Sequence, residues 1–270
     1  MDSSDIKIEI QNLTMAYGSY VVMRDIQAQV KRGSIFVIMG NSGSGKSTLL
    51  RHMIGLQRPA QGDIFYDGKS FWGMDDEARR TQLRNWGVLF QSGALWSSMT
   101  LAENVALPLV EYTNWSPSDL NDIVRLKLAL VGLSGFEEYY PAEISGGMRT
   151  RAGLARAMAL DPEILFFDEP SAGLDPITSR NLDKLILELR DSLGATVVVV
   201  THELASIFMI ADDSIFLDAD TKTMRAHGNP KDLLKHSPDA KLRTFLTRGE
   251  YSEADAHDSS RRAAENRGAS

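Results

Sequence analysis

The chain opens on an alternation of apolar and polar positions. "KIEIQNLTMAYG" alternates as a strand with one wet face does. "SYVVMRDIQAQV" can pair with it across the turn at Gly18-Ser19. The pattern then changes. "GSIFVIMG" is a continuous apolar run ending in glycine, which predicts a strand buried on both faces. "KSTLLRHMIGL" has helical spacing, "GDIFYDG" reads as a short strand between turns, and "WGVLFQ" as another buried strand, closed by Gln91.

From about Leu101 to Asp161 the chain is expected to be mostly helical. One helix there carries Ser116 as its cap, Pro117 at the first helical position and Asp119 in the first turn, each suited to a helix start. Leu120, Ile123, Val124, Leu128 and Val131 then fall on one face. "EILFFDEP" and "ATVVVVTHE" return to buried strands, with the helix "ITSRNLDKLILELRDSL" between them. Strands alternating with helices predict a parallel sheet. The expected layout is one α/β domain over 5–250, with a helical insertion at about 100–161. The polar stretch 251–270 is expected to be flexible, because it has too few large apolar residues to build a core.

Composition narrows the function classes. The 270 residues are 43% hydrophobic and 24% charged, within the ordinary globular range. No run of about 18 apolar residues is present to span a bilayer. "MDSSDIKIEI" lacks the basic-then-apolar order of a signal peptide. The absence of cysteine excludes disulfides and thiolate metal sites. A net charge of −7 argues against a nucleic-acid partner, since such binders carry a basic excess.

The chemistry starts at Gly40-Asn41-Ser42-Gly43-Ser44-Gly45-Lys46-Ser47, followed by Thr48. It matches G-x-x-x-x-G-K-[ST] between a buried strand and a helix, the context a phosphate loop requires. Glycines let backbone N–H groups converge on phosphate oxygens, and the helix offers its positive end to the same anion. Lys46 can reach the outer phosphates, and Ser47 can ligate Mg²⁺.

A second element is "ILFFDE", an apolar strand ending in Asp168 and Glu169. The C-terminal edge of a parallel sheet is where such folds place ligands. Asp168 can belong to the Mg²⁺ shell, and Glu169 can polarise an attacking water. Alone, Asp-Glu-Pro could as well merely end a strand; beside a phosphate loop the catalytic reading prevails. His202, after "TVVVVT", lies on a predicted neighbour of the acidic strand and can donate a hydrogen bond near the γ-phosphate. Gln91 could reach the metal or the water, or be a plain strand end. Tyr17 could stack on adenine, although an aromatic in a hairpin is more often packing. Ser145-Gly146-Gly147 opens a helix rich in Ala and Arg. By itself this is an ordinary capped helix start.

Taken together, the phosphate loop, Gln91, Ser145-Gly146-Gly147, "ILFFDEP", "SAGLD" and His202 occur in one order that resembles an ATP-binding cassette (ABC) ATPase subunit, over roughly Lys7 to Phe245. The resemblance implies a P-loop NTPase (RecA-like) α/β core with an antiparallel β subdomain and a helical insertion subdomain. It implies ATP and Mg²⁺, and a head-to-tail homodimer. Each ATP is then held between one copy's phosphate loop and the other's Ser145, Gly146 and Gly147. It raises Tyr17 to the adenine-stacking aromatic, Gln91 to the Mg²⁺ and membrane-domain sensor, and Asp175 to the loop linking the two sites. Glu169 becomes the general base and His202 the γ-phosphate switch.

The compact spacing and the lack of a long heptad segment favour a transporter subunit over the chromosome-maintenance and repair relatives. Met148 stands where the family usually has Gln. With "FQSGALWSSMTLAENVALPL" it resembles the ATPase of bacterial MCE-type (Mla) phospholipid transporters. That resemblance implies integral membrane permease subunits, a periplasmic MCE-type lipid-binding subunit and a small cytoplasmic regulatory subunit. It also implies a peripheral position on the cytoplasmic face of the inner membrane. Leu95, Trp96 and Met99 are the expected docking residues for a short helix of the permease, the alternative being interior packing. A transporter of another substrate, or a soluble non-transport ATPase, shares the same core motifs.

Overall fold

The computed structural model describes residues 5–249; the polar stretch 251–270 and Glu250 lie outside the described residues. In chain order the elements are β1 (Ile6–Tyr17), β2 (Tyr20–Lys31), β3 (Ile35–Gly40), α1 (Lys46–Met53), β4 (Gln61–Tyr66), β5 (Lys69–Ser70), α2 (Asp76–Arg84) and β6 (Trp86–Leu89). The helical stretch follows as α3 (Leu101–Tyr112), α4 (Pro117–Leu130) and α5 (Gly146–Ala157). Next come β7 (Ile164–Asp168), α6 (Pro176–Leu193), β8 (Thr196–Val200), α7 (Leu204–Ile210), β9 (Asp213–Asp218), β10 (Thr223–His227), α8 (Pro230–His236) and α9 (Ala240–Leu246).

The strands form two sheets. One is antiparallel, in the order β2-β1-β4-β5. The other runs β10-β9-β3-β8-β7-β6, with every pair parallel except β10 with β9. The continuous apolar strands lie at the centre of the second sheet because they have no polar face to give to water. Their alternate residues serve two cores. Ile35, Val37 and Met39 of β3, with Leu165 and Phe167 of β7, pack on the side of α3 to α6. Phe36, Ile38, Ile164 and Phe166 pack against the antiparallel sheet and α1. Each such fully buried side chain contributes about 1.5–3 kcal/mol relative to exposure.

Caps set the helix starts. Thr100 and Glu103 make a reciprocal capping box on α3, and Ser116 accepts from the Asp119 N–H with Pro117 at the first position of α4. Buried cations tie the layers together. Lys7, 1% exposed, pairs with Asp67 at 2.7 Å and with Glu163, joining β1 to the approach of β7. Lys127 of α4 pairs with Asp161. Leaving such a charge unpaired costs about 3–5 kcal/mol.

All five parallel strands end on one edge. Gly40, Leu89, Asp168, Val200 and Asp218 mark that edge, and the loops leaving it carry the candidate residues, as expected of an open α/β sheet. Asp218, 2% exposed, anchors the β9 end. Burial pushes its carboxyl up, but the Lys241 hydrogen bond, the Asp220 N–H and the Thr221 hydroxyl outweigh burial and hold it at about 2. A carboxylate depressed in the fold stabilises it above the unfolded value of 3.8 and loses that contribution as pH falls toward 2. Asp218→Asn is expected to cost about 2 kcal/mol near neutral pH. In urea titrations against the unaltered chain, that gap should narrow only below about pH 4.

Candidate active site

Gly40 turns out of β3 with φ +153, and a Cβ there would meet the Leu217 carbonyl oxygen at 2.5 Å and Ser44 Oγ at 2.6 Å. Only glycine therefore lets the loop fold tightly over the strand end. Ser44 Oγ is buried beneath it without a partner. Lys46 curls back over the loop, its Nζ donating to the carbonyl oxygens of Gly40 at 2.9 Å and Asn41 at 3.1 Å. Burial pulls the ammonium below the usual lysine value, while Glu169 and Asp168 pull the other way. Lys46 is thus a desolvated cation facing two carboxylates, ready to exchange loop carbonyls for anionic oxygens.

Ser47 Oγ donates to Asp168 Oδ1 at 2.9 Å. The two oxygens, brought together beside the phosphate loop, belong to the residues that would hold Mg²⁺, which would neutralise phosphate charge there. No cluster of three or more His, Cys, Asp or Glu suited to a metal is found among the described residues. That agrees with the way Mg²⁺ is usually held, by one or two protein oxygens together with phosphates and waters.

Glu169 takes the left-handed conformation, φ +49, and its N–H donates to the Val200 carbonyl at 2.9 Å. The bend aims its carboxylate back over the phosphate loop, 3.9 Å from Lys46 Nζ. On the other side His202 Nδ1 lies 2.9 Å from the same Oε1. A carboxylate can only accept, so Nδ1 carries the proton. Neutral His202 then presents a lone pair at Nε2. Donating to a phosphate needs the imidazolium, or release of Nδ1 from Glu169.

Lys46, Ser47, Asp168, Glu169 and His202 thus form one connected group. Tyr17 and Ser145 are placed elsewhere. Tyr17 is 49% exposed at the hairpin tip, paired across the turn with Tyr20. Further along the same hairpin, beyond a bulge, lies the cross-strand pair Met15 and Met23, whose side chains crowd Gly45 of the phosphate loop. Ser145 caps α5, its Oγ accepting from the Met148 N–H at 3.2 Å. The Met148 side chain packs on the main core. Asp175 caps α6 by accepting from the Ile177 and Thr178 N–H groups at 3.0 Å. The bonds from Thr178 hold its carboxyl below the usual value. A Cβ on Gly147 would lie 2.6 Å from Thr178 Cγ2, so the starts of α5 and α6 touch within one chain.

Gln91 does not close a strand. β6 ends at Leu89, and Gln91 begins a short turn to Gly93. The docking set also divides. Trp96 is 61% exposed, whereas Leu95 is half-buried against the main core and Met99 is half-buried. Sequence reasoning missed Asn104 and Arg156. Asn104 is fully buried and bonds the backbone of Trp96, Met99 and Thr100. Arg156 bonds the carbonyls of Gly93 and Ala94. The only signal was a polar residue on an otherwise apolar face.

Residues 23–172 match the family model described as ABC transporter. The intermembrane phospholipid transport ATP-binding protein MlaF of Escherichia coli (strain K12) is 42% identical over 239 residues, 88% of this chain and 88% of that protein. The probable ribonucleotide transport ATP-binding protein mkl of Mycobacterium tuberculosis (strain ATCC 25618 / H37Rv) is 41% identical over 241 residues. That match covers 89% of this chain, which spans 66% of the mycobacterial protein's length. Among solved structures, the dimeric MJ0796, a bacterial ABC transporter cassette, superposes with a TM-score of 0.75 at 29% identity, over 82% of this chain and 98% of that one. MJ0796 has also been solved as a dimer in a post-hydrolysis state bound to ADP and Pi. With its phosphate loop, paired Ser47 and Asp168, and Glu169 beside them, the chain belongs to the ABC transporter family as an ATPase cassette that binds ATP with Mg²⁺.

Proposed function

We propose that this chain is the ATPase subunit of a system moving phospholipid between the inner and outer bacterial membranes. The observation that carries the reading is the MlaF match, which spans 88% of both chains. The mkl relatives favour a second reading, ribonucleotide transport. The chain reaches only 66% of the mycobacterial protein, so the lipid reading rests on the fuller correspondence.

In the proposed cycle two copies meet head to tail. Tyr17 stacks on adenine. The amides from Gly40 to Thr48 and the Lys46 ammonium hold the triphosphate, with Ser47, Asp168 and Gln91 directed at the metal. Mg²⁺, when bound, neutralises phosphate charge. Ser145, Gly146 and Gly147 of the second copy close over the same nucleotide. Glu169 accepts the proton of the attacking water and His202 steadies its carboxylate, the positioning and charge stabilisation that phosphoryl transfer depends on. Asp175 links the two sites. Trp96, flanked by Leu95 and Met99, meets an integral membrane permease. A periplasmic MCE-type lipid-binding subunit and a small regulatory subunit complete the assembly, and the chain sits on the cytoplasmic face of the inner membrane. No helix among the described residues is long and apolar enough to cross a membrane, which suits a peripheral subunit.

The test is isolation of the tagged full chain from detergent-solubilised membranes. An integral membrane protein and bound phospholipid should accompany it. Recovery without any membrane protein removes the transporter reading, and a membrane complex that carries no phospholipid removes the lipid reading.

A further inference from the structure

Tyr17 and Tyr20 oppose each other across a two-residue turn at the tip of the β1–β2 hairpin. Gly18 takes φ +58 there, as the first position of such a turn requires. Directly opposed residues of an antiparallel pair project to the same side, with Cβ atoms about 5 Å apart. Both rings are open to solvent, Tyr20 at 61% exposure beside the half-exposed Tyr17. Among the described residues, no aromatic ring packs on either of them, nor do they stack on each other. Two such rings side by side offer apolar area that contributes only when something covers it.

Tyr20 is nevertheless held in place. Lys222 Nζ lies 4.2 Å from the centroid of its ring, within cation–π range. The lysine comes from the turn between β9 and β10 and is itself fixed. Its φ of 53 is left-handed, a conformation that a residue with a side chain keeps only where its surroundings dictate it. Its carbonyl accepts from the Arg24 N–H of β2 at 2.9 Å. The same turn is built on Asp218, which accepts from the Asp220 N–H and the Thr221 hydroxyl.

The pair of rings stands near the phosphate loop. Val22, two residues along β2 from Tyr20, would lie 3.1 Å from a Cβ on Gly45, and two residues of strand span about 7 Å. β9, which leads into the Lys222 turn, pairs with β3 at Gly40 and Leu217, where the phosphate loop begins. A nucleotide with its phosphates on that loop can bring its base to both rings.

We propose that Tyr20, held by Lys222, is a second base-contacting residue beside Tyr17, and that the two rings together select purine over pyrimidine nucleoside triphosphates. The inference rests on the reading above in which Tyr17 stacks on adenine. A purine has two fused rings and can cover both tyrosines, whereas a pyrimidine has one ring and covers one. Stacking reads the area of the π-face and not the hydrogen-bonding edge, so adenine and guanine are treated alike. Lys222 is a positioning residue, acting through the Tyr20 ring.

The experiment uses the full chain carrying Glu169→Gln and titration calorimetry with ATP, CTP and inorganic tripolyphosphate. Tripolyphosphate reports on the phosphate loop alone. Tyr20→Ala is expected to weaken ATP about tenfold and CTP less than about threefold, with tripolyphosphate within about twofold. Tyr20→Phe, which keeps the ring, should bind ATP within about twofold of the parent. Lys222→Met should weaken ATP about threefold and add no further loss to Tyr20→Ala. Equal losses of ATP and CTP overturn the purine selection, and a loss that extends to tripolyphosphate overturns it as general damage to the fold. A further loss from Lys222→Met in the Tyr20→Ala chain overturns its positioning role. Tyr17→Ala separates the inference from the reading beneath it. If only Tyr17→Ala weakens ATP, the inference falls and the reading stands. If only Tyr20→Ala does, the Tyr17 reading fails and the Tyr20 contact stands; if neither does, both fall.

Discussion

Glu169→Gln is expected to lower turnover about a thousandfold while ATP affinity stays within about twofold, the span associated with losing a general base. The substitution isolates the proton-accepting role because the rest of the geometry survives. A glutamine Oε1 still accepts from His202 Nδ1, which lies 2.9 Å from the carboxylate, and the backbone N–H still bonds Val200. The one electrostatic loss is the carboxylate 3.9 Å from Lys46. Removing a negative charge from beside the phosphate site favours an anionic nucleotide, so affinity should hold or rise. Single-turnover measurement of phosphate release, alongside binding of an ATP analogue, separates the two effects. Turnover within about tenfold of the unaltered chain would assign the proton to another group.

The second large effect concerns sites shared between copies. Lys46→Ala removes the buried ammonium that faces Glu169 and Asp168. Ser145→Arg fills the glycine-flanked start of α5. Each variant alone should lose about a hundredfold or more of activity, since each removes one wall of every site in a symmetric dimer. An equal mixture is expected to recover about a quarter of normal activity, because half the dimers are mixed and each mixed dimer has one intact site of two. A mixture no more active than its components would show that each chain hydrolyses ATP within itself. The separation seen within one chain motivates the experiment. Ser145 makes its hydrogen bond to the Met148 N–H and, among the described residues, none to the phosphate loop.

Much of this architecture was legible in the sequence because it is written in short-range patterns. "SIFVIM" and "TVVVV" are apolar at every position, and only a sheet covered on both faces accepts such runs. Ser116-Pro117 announces the start of α4 with a cap and a residue that needs no donor. The glycine spacing of the phosphate loop reports a backbone demand, and Gly40, pressed against the Leu217 carbonyl, shows what that demand is. The strand order was not legible, because placing β3 between β8 and β9 depends on pairings far apart in sequence. β9, β10 and the last three helices were likewise not resolved from pattern alone. The turn after Gln91 was hidden for a different reason. Ser92 and Ala94 carry none of the usual marks of a left-handed backbone; the helix beneath them imposes it. Leu95 is as apolar as Trp96, and only the fold decides which of the two faces inward.

The central strands hold one more consequence. Val197 and Val199 of β8 belong to one core and Val198 and Val200 to the other. A slip of β8 by one residue would exchange valine for valine on both faces, so the run cannot fix its own register, and the buried threonines at its two ends do so instead. Thr196 Oγ1 accepts from the Gly33 N–H at 3.0 Å, and Thr201 Oγ1 accepts from the Glu203 N–H at 3.1 Å. His202 follows directly. Its station beside Glu169 is thus set, in steps of about 3.3 Å, by two hydroxyls that act as end stops for the strand.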